Sequence, residues 1–341
     1  KEEVADALGI PEKNVRIIPP FLGGGFGGKS RNLQIIEAAK LAKLSGKPVQ
    51  VAWTREEEFF FDSFRPAAVV KIKSGVNKDG KISSWDYKVY FAGERGSIEF
   101  YNIPNTKTTV YGSNWGGVPG AHPFATGAWR APANNTNTFA RESQIDMMAA
   151  KAGIDPLEFR LNNLKDETMR GVLKAAAKKF GWKPAKTPSG RGYGIACGID
   201  AGTSVAAIAE VEVNKKNGNV KVKRVVCAQD MGLSINPEGA AIQMEGCITM
   251  GLGYALREDI HFRGGDILDL NFDTYEIPRF SWLPEIETVI IDNKNAAPQG
   301  GGEPAIVIMG AVVANAIFDA AGARVKQLPM DPERVMEAMK K

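Results

Sequence analysis

GGGFGGKS, residues 23–30, decides how this chain is read, because its glycines are compatible with two different structures. From Gly23 to Gly28, Lys29 and Ser30 it has the G-x-x-x-x-G-K-S spacing of a phosphate loop, whose amides and lysine hold a nucleotide. Such a loop needs a buried strand feeding it and a helix leaving it, since the strand end fixes the amides and the helix N-terminus adds its dipole. A helix is expected: Ile35, Ile36, Ala39, Leu41, Ala42 and Leu44 recur at helical spacing, with Gly46 and Pro48 as stop signals. On the other side VRII (15–18) reads as a short strand, but Pro19-Pro20 and Phe21-Leu22 separate it from the loop. VIID (289–292) supplies an acidic strand end for magnesium, a string short enough to arise by chance. The alternatives are a glycine turn without a ligand and one that lets the backbone approach a different anionic group.

Composition narrows the classes. At 341 residues, 44% hydrophobic and 24% charged, the chain is long enough for two domains or one composite one. Its net charge of +4 is small and its basic residues are not interleaved with aromatics, so nucleic acid is not an expected partner. No uninterrupted apolar run approaches the length of a membrane span, and KEEVADALGI lacks the apolar core of a signal peptide. A cytoplasmic location is the expectation. Cys197, Cys227 and Cys247 are widely spaced, without C-x-x-C, and His122 and His261 are the only histidines. That pattern opposes a zinc or iron–sulfur centre ligated by this chain and reads as three small core residues in a reducing compartment. Lys1 is not an initiator methionine and the opening reads as a helix in progress, so upstream sequence is expected, on this polypeptide or as a separate subunit.

Along the chain, VQVAWT (49–54) and AVVKIKSGV (68–76) read as strands, with NKDG turning into ISSWDYKVYFAG (82–93). Residues 112–138 read as loop, FARESQIDMMAAKAG (139–153) and PLEFRLNNL (156–164) as helices, and WKPAKTPSGRG (182–192) as a linker. The expected division is therefore 1–181 and 193–341. In the second part AAIAEVEVN and NVKVKRVVCAQD form a hairpin around KKNG, and ETVIIDN is a strand. PEGAAIQMEGCITMGLGYAL (237–256) and AIVIMGAVVANAIFDAAGARV (305–325) are helices. This mixed order predicts an α+β fold of two mixed lobes rather than a regular doubly wound sheet.

The unusual loops fall in a telling order: GGGFGGK, then GAWRAPANNTNTFARESQID (127–146), INPEGAAIQMEG (235–246) and QGGGEPAIVIMGAVVANAIFDAAGAR (299–324). Together they resemble the molybdopterin-binding subunit of the xanthine dehydrogenase and aldehyde oxidase family of molybdenum hydroxylases, over nearly the whole chain. REEEFFFDSFRPAAVVKI (55–72) and RGYGIACGIDAGTSVAAIAEVEV (191–213) resemble the isoquinoline 1-oxidoreductase type. The resemblance implies a molybdenum–molybdopterin cofactor, in the cytosine dinucleotide form, at the interface of the lobes. The metal would be held by the pterin and by no protein ligand. The reaction implied is hydroxylation of an aromatic N-heterocycle or an aldehyde with oxygen from water.

The same resemblance assigns roles. Glu303 would be the catalytic base, in a setting where flanking glycines leave space and Pro304 stiffens the backbone. Gly25, Phe26 and Gly27 would approach the metal and pterin, with Phe26 closing one side of the substrate pocket. Arg130 and Ala131 would lie on the loop facing the metal's oxo side, and Gln243 would donate a neutral hydrogen bond there. Arg65 would face the substrate, as would Ser30, which stands where purine-oxidising relatives carry a glutamate. GAWRAPA lacks the copper-holding cysteine of the carbon monoxide dehydrogenases. The E-M-G-Q-G-type segment that contacts the pterin pyrophosphate is absent, so an upstream region or another chain would supply it. With no cysteine cluster or flavin motif, electrons would pass to a [2Fe-2S] subunit and an FAD subunit of a hetero-oligomer. A phosphate-loop hydrolase and a cofactor-free structural subunit are the competing readings.

Overall fold

The structure is a computed structural model, and it describes residues 1–112, 121–183 and 190–340. The chain opens with α1 (Glu2–Leu8), closed by Gly9 in the left-handed conformation, and α2 (Leu33–Ser45), closed the same way by Gly46. These two helices pack on each other, and α2 buries none of its side chains; Leu44 stays 83% exposed. Then come α3 (Arg55–Phe61), β1 (Val69–Val76), β2 (Ile82–Tyr90) and β3 (Thr106–Tyr111). β1 and β2 form the expected hairpin through Asn77 and Gly80, and β3 joins β2 in parallel. Three helices follow: α4 (Asn134–Ala152), α5 (Pro156–Asn163) and α6 (Glu167–Phe180).

The second half begins with the antiparallel strands β4 (Arg191–Asp200), β5 (Thr203–Val213) and β6 (Val220–Asp230). After α7 (Pro237–Leu256), the short pair β7 (Phe262–Arg263) and β8 (Asp266–Ile267) leads to β9 (Glu285–Ile290), which adds to β6 in parallel. α8 (Pro304–Val307), α9 (Met309–Ala321) and α10 (Pro332–Met339) close the described chain. The α+β class is as expected.

The sheet β4-β5-β6-β9 is covered on both faces. Val205, Ala207 and Ala209 of β5 belong to the core shared with α7 and α9, while Ala206 and Ile208 belong to the core shared with α4 and α6. Two covered faces explain why the first half of β5 is a continuous buried run rather than an alternating one. Helix α9 lies so close to β4 that a Cβ on Gly194 would stand 2.1 Å from the Val312 carbonyl oxygen. The stretch Pro304–Ala321 is long and apolar enough to cross a membrane by composition, which corrects the expectation from uninterrupted runs; it is 83% buried in this core.

Several expectations are corrected. VRII is extended but pairs with no strand among the described residues, and Ile17 and Ile18 are exposed. VQVAWT is likewise not a strand; its Thr54 instead caps α3 in a reciprocal box with Glu57. The expected loop 112–138 gives way to helix five residues early, at Asn134, and its residues 113–120 lie outside the described ones. The long terminal helix is broken at Ile308. The linker 182–192 falls largely on residues 184–189, also outside the described ones, and β4 already begins at Arg191.

Candidate functional site

The glycines of residues 23–28 do not open α2. Gly28–Ser30 form a single 3-10 turn, Arg31 and Asn32 intervene, and no strand enters the loop, so the strand–loop–helix frame of a phosphate loop is missing. What the loop does is pack on residues 125–131. The Phe26 carbonyl accepts from the Arg130 N–H (2.9 Å), and a Cβ on Gly27 (φ 111°) would fall 2.1 Å from the Ala128 carbonyl oxygen. Phe26 itself has φ 50°, a left-handed value that a bulky residue adopts only where its surroundings impose it. Gly25 is tight only against the flexible Lys29 side chain.

Arg130, almost fully buried, gathers the expected segments. Its guanidinium lies over the Phe26 ring (5.1 Å to the centroid). Nε donates to the Gly302 carbonyl (2.9 Å), and Nη2 donates to the same oxygen and to Gln243 Oε1 (2.9 Å). The backbone beyond it is strained, with Ala131 at φ 57° and Ala133 at φ 65°. Asn135 holds that bend by donating to the carbonyls of Arg130 (2.8 Å) and Ala131 (3.3 Å), which leaves the Ala131 N–H to donate to Glu303 Oε1 (2.7 Å).

Glu303 arrives from a loop pinned to the sheet ends. The Gly300 N–H donates to the Ala201 carbonyl, Thr203 Oγ1 to the Gly300 carbonyl, and Gln229 Nε2 to the Gly301 carbonyl. Added Cβ atoms at Gly300 and Gly301 would meet Ala201 and Met231 at 2.6 and 2.8 Å, so those two glycines serve close packing. Only Gly302 leaves room; its nearest neighbour would be Gln243 Oε1 at 3.7 Å. Cys247 Sγ donates from below to the Gly302 carbonyl (3.3 Å), and burial pushes its thiol up to about 11. The second Glu303 oxygen accepts from Arg95 Nη2 (3.0 Å), a residue that sequence reasoning missed. Its only local signal is the charged pair Glu94-Arg95 in GERGS, set between two glycines.

Beside Phe26 opens a cavity of about 890 Å³. Its wall includes Phe59, Phe64, Phe124, Trp129, Tyr254 and Tyr275. Arg65 also lines it, with its guanidinium 4.9 Å from the Tyr254 ring and 5.4 Å from Trp129; Nη1 is buried without a hydrogen-bond partner among the described residues. The segment is held there because Phe64 exchanges backbone hydrogen bonds with Ala125 and Gly127. Glu258 lines the same wall, and burial raises its carboxyl above the ordinary range despite the Tyr275 hydroxyl hydrogen bond (2.9 Å) and the nearby Arg65 charge. Phe26 belongs to both regions. Glu303, Arg130 and Gln243 do not line this cavity, and neither does Ser30, which is exposed on the outer turn.

A molybdenum held by pterin sulfurs asks a protein for neutral donors and accessible backbone rather than a cage of thiols and imidazoles. The residues present fit. Gln243 is exposed, its oxygen is taken by Arg130 and its amide nitrogen has no partner among the described residues, so a neutral donor remains free. Gly302 leaves open space beside it and the Phe26 ring is half exposed. Gln229 Oε1, behind Gly301, is buried without a partner among the described residues. Among those residues no three His, Cys, Asp or Glu side chains converge as a metal cage.

Comparison with known proteins agrees. Two family models, each described as a molybdopterin cofactor-binding domain, match residues 1–164 and 169–284. The chain is 29% identical to a nicotinate dehydrogenase chain of Pseudomonas putida, over 99% of this chain and 31% of that protein. It is 28% identical to the beta chain of isoquinoline 1-oxidoreductase of Brevundimonas diminuta, over 96% of this chain and 44% of that one. It thus spans less than half the length of these curated relatives. The fold matches quinoline 2-oxidoreductase from Pseudomonas putida 86 with a TM-score of 0.88 at 15% identity, over 100% of this chain and 70% of that one. The chain belongs to the molybdopterin-binding subunits of the xanthine dehydrogenase and aldehyde oxidoreductase family.

Proposed function

We propose that this chain is the cofactor-binding catalytic part of a molybdenum hydroxylase acting on an aromatic N-heterocycle or an aldehyde. The observation that carries the reading is the Glu303 carboxylate, held by the Ala131 N–H beside the Arg130, Gln243 and Phe26 cluster. When bound, a molybdenum–pterin group supplies Lewis acidity and accepts two electrons, with water as the source of oxygen. The chain's own residues do the rest. Glu303 takes a proton: an ionised carboxylate has about four acceptor positions, and the two hydrogen bonds it receives leave acceptor capacity for water. Gln243 offers its amide without adding charge, and Arg130 fixes Gln243, Gly302 and Phe26 relative to one another.

The aromatic walls of the cavity favour a flat ring as substrate, stacked rather than solvated, and Arg65 offers its unpartnered Nη1 to a polar edge. Ser30 is retained as a substrate neighbour only through displacement of the exposed turn. We further propose the cytosine dinucleotide form of the pterin, a [2Fe-2S] subunit and an FAD subunit as electron path, and a cytoplasmic location. A further chain or segment would complete the pterin site. The division at 182–192 is kept as one of chain rather than of core, since α6 and the second-half sheet share a hydrophobic cluster.

The test is the native complex. Molybdenum at one atom per chain is expected, and Glu303→Gln should keep that molybdenum while losing about 10²- to 10⁴-fold of the activity of the parent complex. Oxygen from labelled water should appear in the product. A native complex free of molybdenum, or an undiminished Glu303→Gln, would sink the reading.

A further inference from the structure

Behind Glu303 stands a second layer built around Arg95 and Asp200, two residues outside all four loop motifs. The backbone after β2 turns sharply through Phe91 (φ 67°), Gly93 (φ 95°) and Gly96 (φ 79°), and Arg95 sits at its tip. Three buried side chains of α4 hold that turn. Asn137 Nδ2 donates to the carbonyls of Gly93 (3.1 Å) and Arg95 (2.9 Å), and Arg141 Nη1 donates to that of Gly96 (2.6 Å). Asn134 fills the space where a Gly96 Cβ would stand, 1.9 Å from its Oδ1. The guanidinium is then clamped by Asp200 at the end of β4: Nε to Oδ1 at 2.9 Å and Nη2 to Oδ2 at 2.6 Å. The Asp200 side chain is fully buried and also accepts from Asn134 Nδ2 (2.6 Å). Its own carboxyl is raised by burial, against the opposing pull of Asn134 and Arg95.

Such a clamp is more than charge compensation requires. A guanidinium held in a bidentate fork has a fixed plane, so its remaining donor directions, among them the second N–H of Nη2, are fixed too. Nη2 reaches Glu303 Oε2 at 3.0 Å. The other oxygen, Oε1, is held by the Ala131 N–H, and the two contacts leave the carboxylate a single orientation. We propose that Arg95, locked by Asp200, Asn134 and Asn137, is the positioning residue that sets the orientation of the Glu303 carboxylate. The inference rests on the reading of Glu303 as the proton acceptor and deepens it: the orientation of the base is built by α4 and β4, not by its own loop alone.

The opposing possibility is that Arg95 only neutralises the buried Asp200, and two variants separate the cases in the purified holo complex. Arg95→Ala alone strands the Asp200 charge, so it is combined with Asp200→Asn, which leaves a neutral, hydrogen-bonding group; Arg95→Lys keeps a charge without the fork. The double variant should retain parental molybdenum content and melting temperature. Its kcat should fall about 10²-fold with KM within about threefold, the loss typical of a displaced reacting group. Arg95→Lys should fall between, and added guanidinium ion should restore part of the double variant's rate. A crystal structure of the double variant should show the Glu303 carboxylate released from the Ala131 N–H. Parental kcat in the double variant, with Glu303→Gln inactive, overturns this inference alone; full activity in Glu303→Gln overturns it together with the functional reading beneath it.

Discussion

Replacing Gly27 by alanine puts the packing of the glycine loop on trial. Two costs add. At φ 111° an L side chain is strained, which carries about 1–2 kcal/mol. The new Cβ would also stand 2.1 Å from the Ala128 carbonyl oxygen and 2.9 Å from the Trp129 Cα, where real Cβ contacts almost never fall below 3.0 Å. The shortfall is backbone against backbone, with no flexible side chain to yield, so overpacking adds about 1–3 kcal/mol. The sum is roughly 2–5 kcal/mol. Its cheapest relief is separation of residues 23–28 from residues 126–131, which breaks the Arg130 N–H to Phe26 carbonyl bond and lifts Phe26 from the Arg130 guanidinium.

Hydrogen exchange reads this directly. At the lower figure the peptide spanning residues 126–131 should exchange roughly 30-fold faster, because about 1.4 kcal/mol is a factor of ten. Molybdenum content should fall with it. Gly28→Ala is the internal control: one residue away, no atom lies within 4 Å of an added Cβ and its φ is unremarkable. If Gly27→Ala and Gly28→Ala proved indistinguishable in exchange and in molybdenum content, the packing argument would be refuted.

Three further outcomes follow from the same geometry. Arg130→Lys should lose most bound molybdenum, since one ammonium cannot serve Gly302, Gln243 and the Phe26 ring together; retention of the parental content by elemental analysis would contradict this. Glu258 keeps its proton in the native state to a higher pH than in the unfolded chain, so the native state binds more protons between the two values. Stability tied to it is therefore complete below the ordinary carboxylate range and is lost as pH rises through the raised native value. Glu258→Gln should accordingly gain in melting temperature relative to the parent as pH goes from about 4 to about 7, and a constant difference would argue against it. Cys197, Cys227 and Cys247 are all buried, so a thiol reagent should label none in the native complex and all three after denaturation; one fast native thiol would contradict that.

How much of this was legible depended on which force set each element. Helix α7 could be read to the residue because its start is local chemistry: Asn236 caps the Gly239 N–H ahead of Pro237. The stop of α4 at Gly153 is local in the same way. β4 escaped because RGYGIACGID carries glycines at 192, 194 and 198, which argue against a strand when propensity alone is weighed. Their reason is tertiary: α9 lies where Cβ atoms on Gly192 and Gly194 would go. β3, TKTTVY, is polar and finds its place only by pairing with β2. Helix α6, by contrast, carries a plain stripe of Met169, Val172, Leu173, Ala176 and Phe180, a periodic signal that is local to the sequence.

The site divides along the same line. Gly25, Phe26, Arg130, Ala131, Gln243 and Glu303 sit in recognisable motifs, and Arg130 brings those segments together. Arg95 reaches Glu303 across 208 positions of sequence, through a turn shaped by α4 and an aspartate on β4. No local pattern encodes a distance of that kind. Side chains that touch the reacting groups are constrained by chemistry and keep a readable type and neighbourhood, whereas those that aim them are constrained only by where the fold happens to deliver a donor. Substitutions at Asn134 or Asn137 should therefore act on Glu303 without touching it: each would loosen the turn that carries Arg95, itself outside the four motifs.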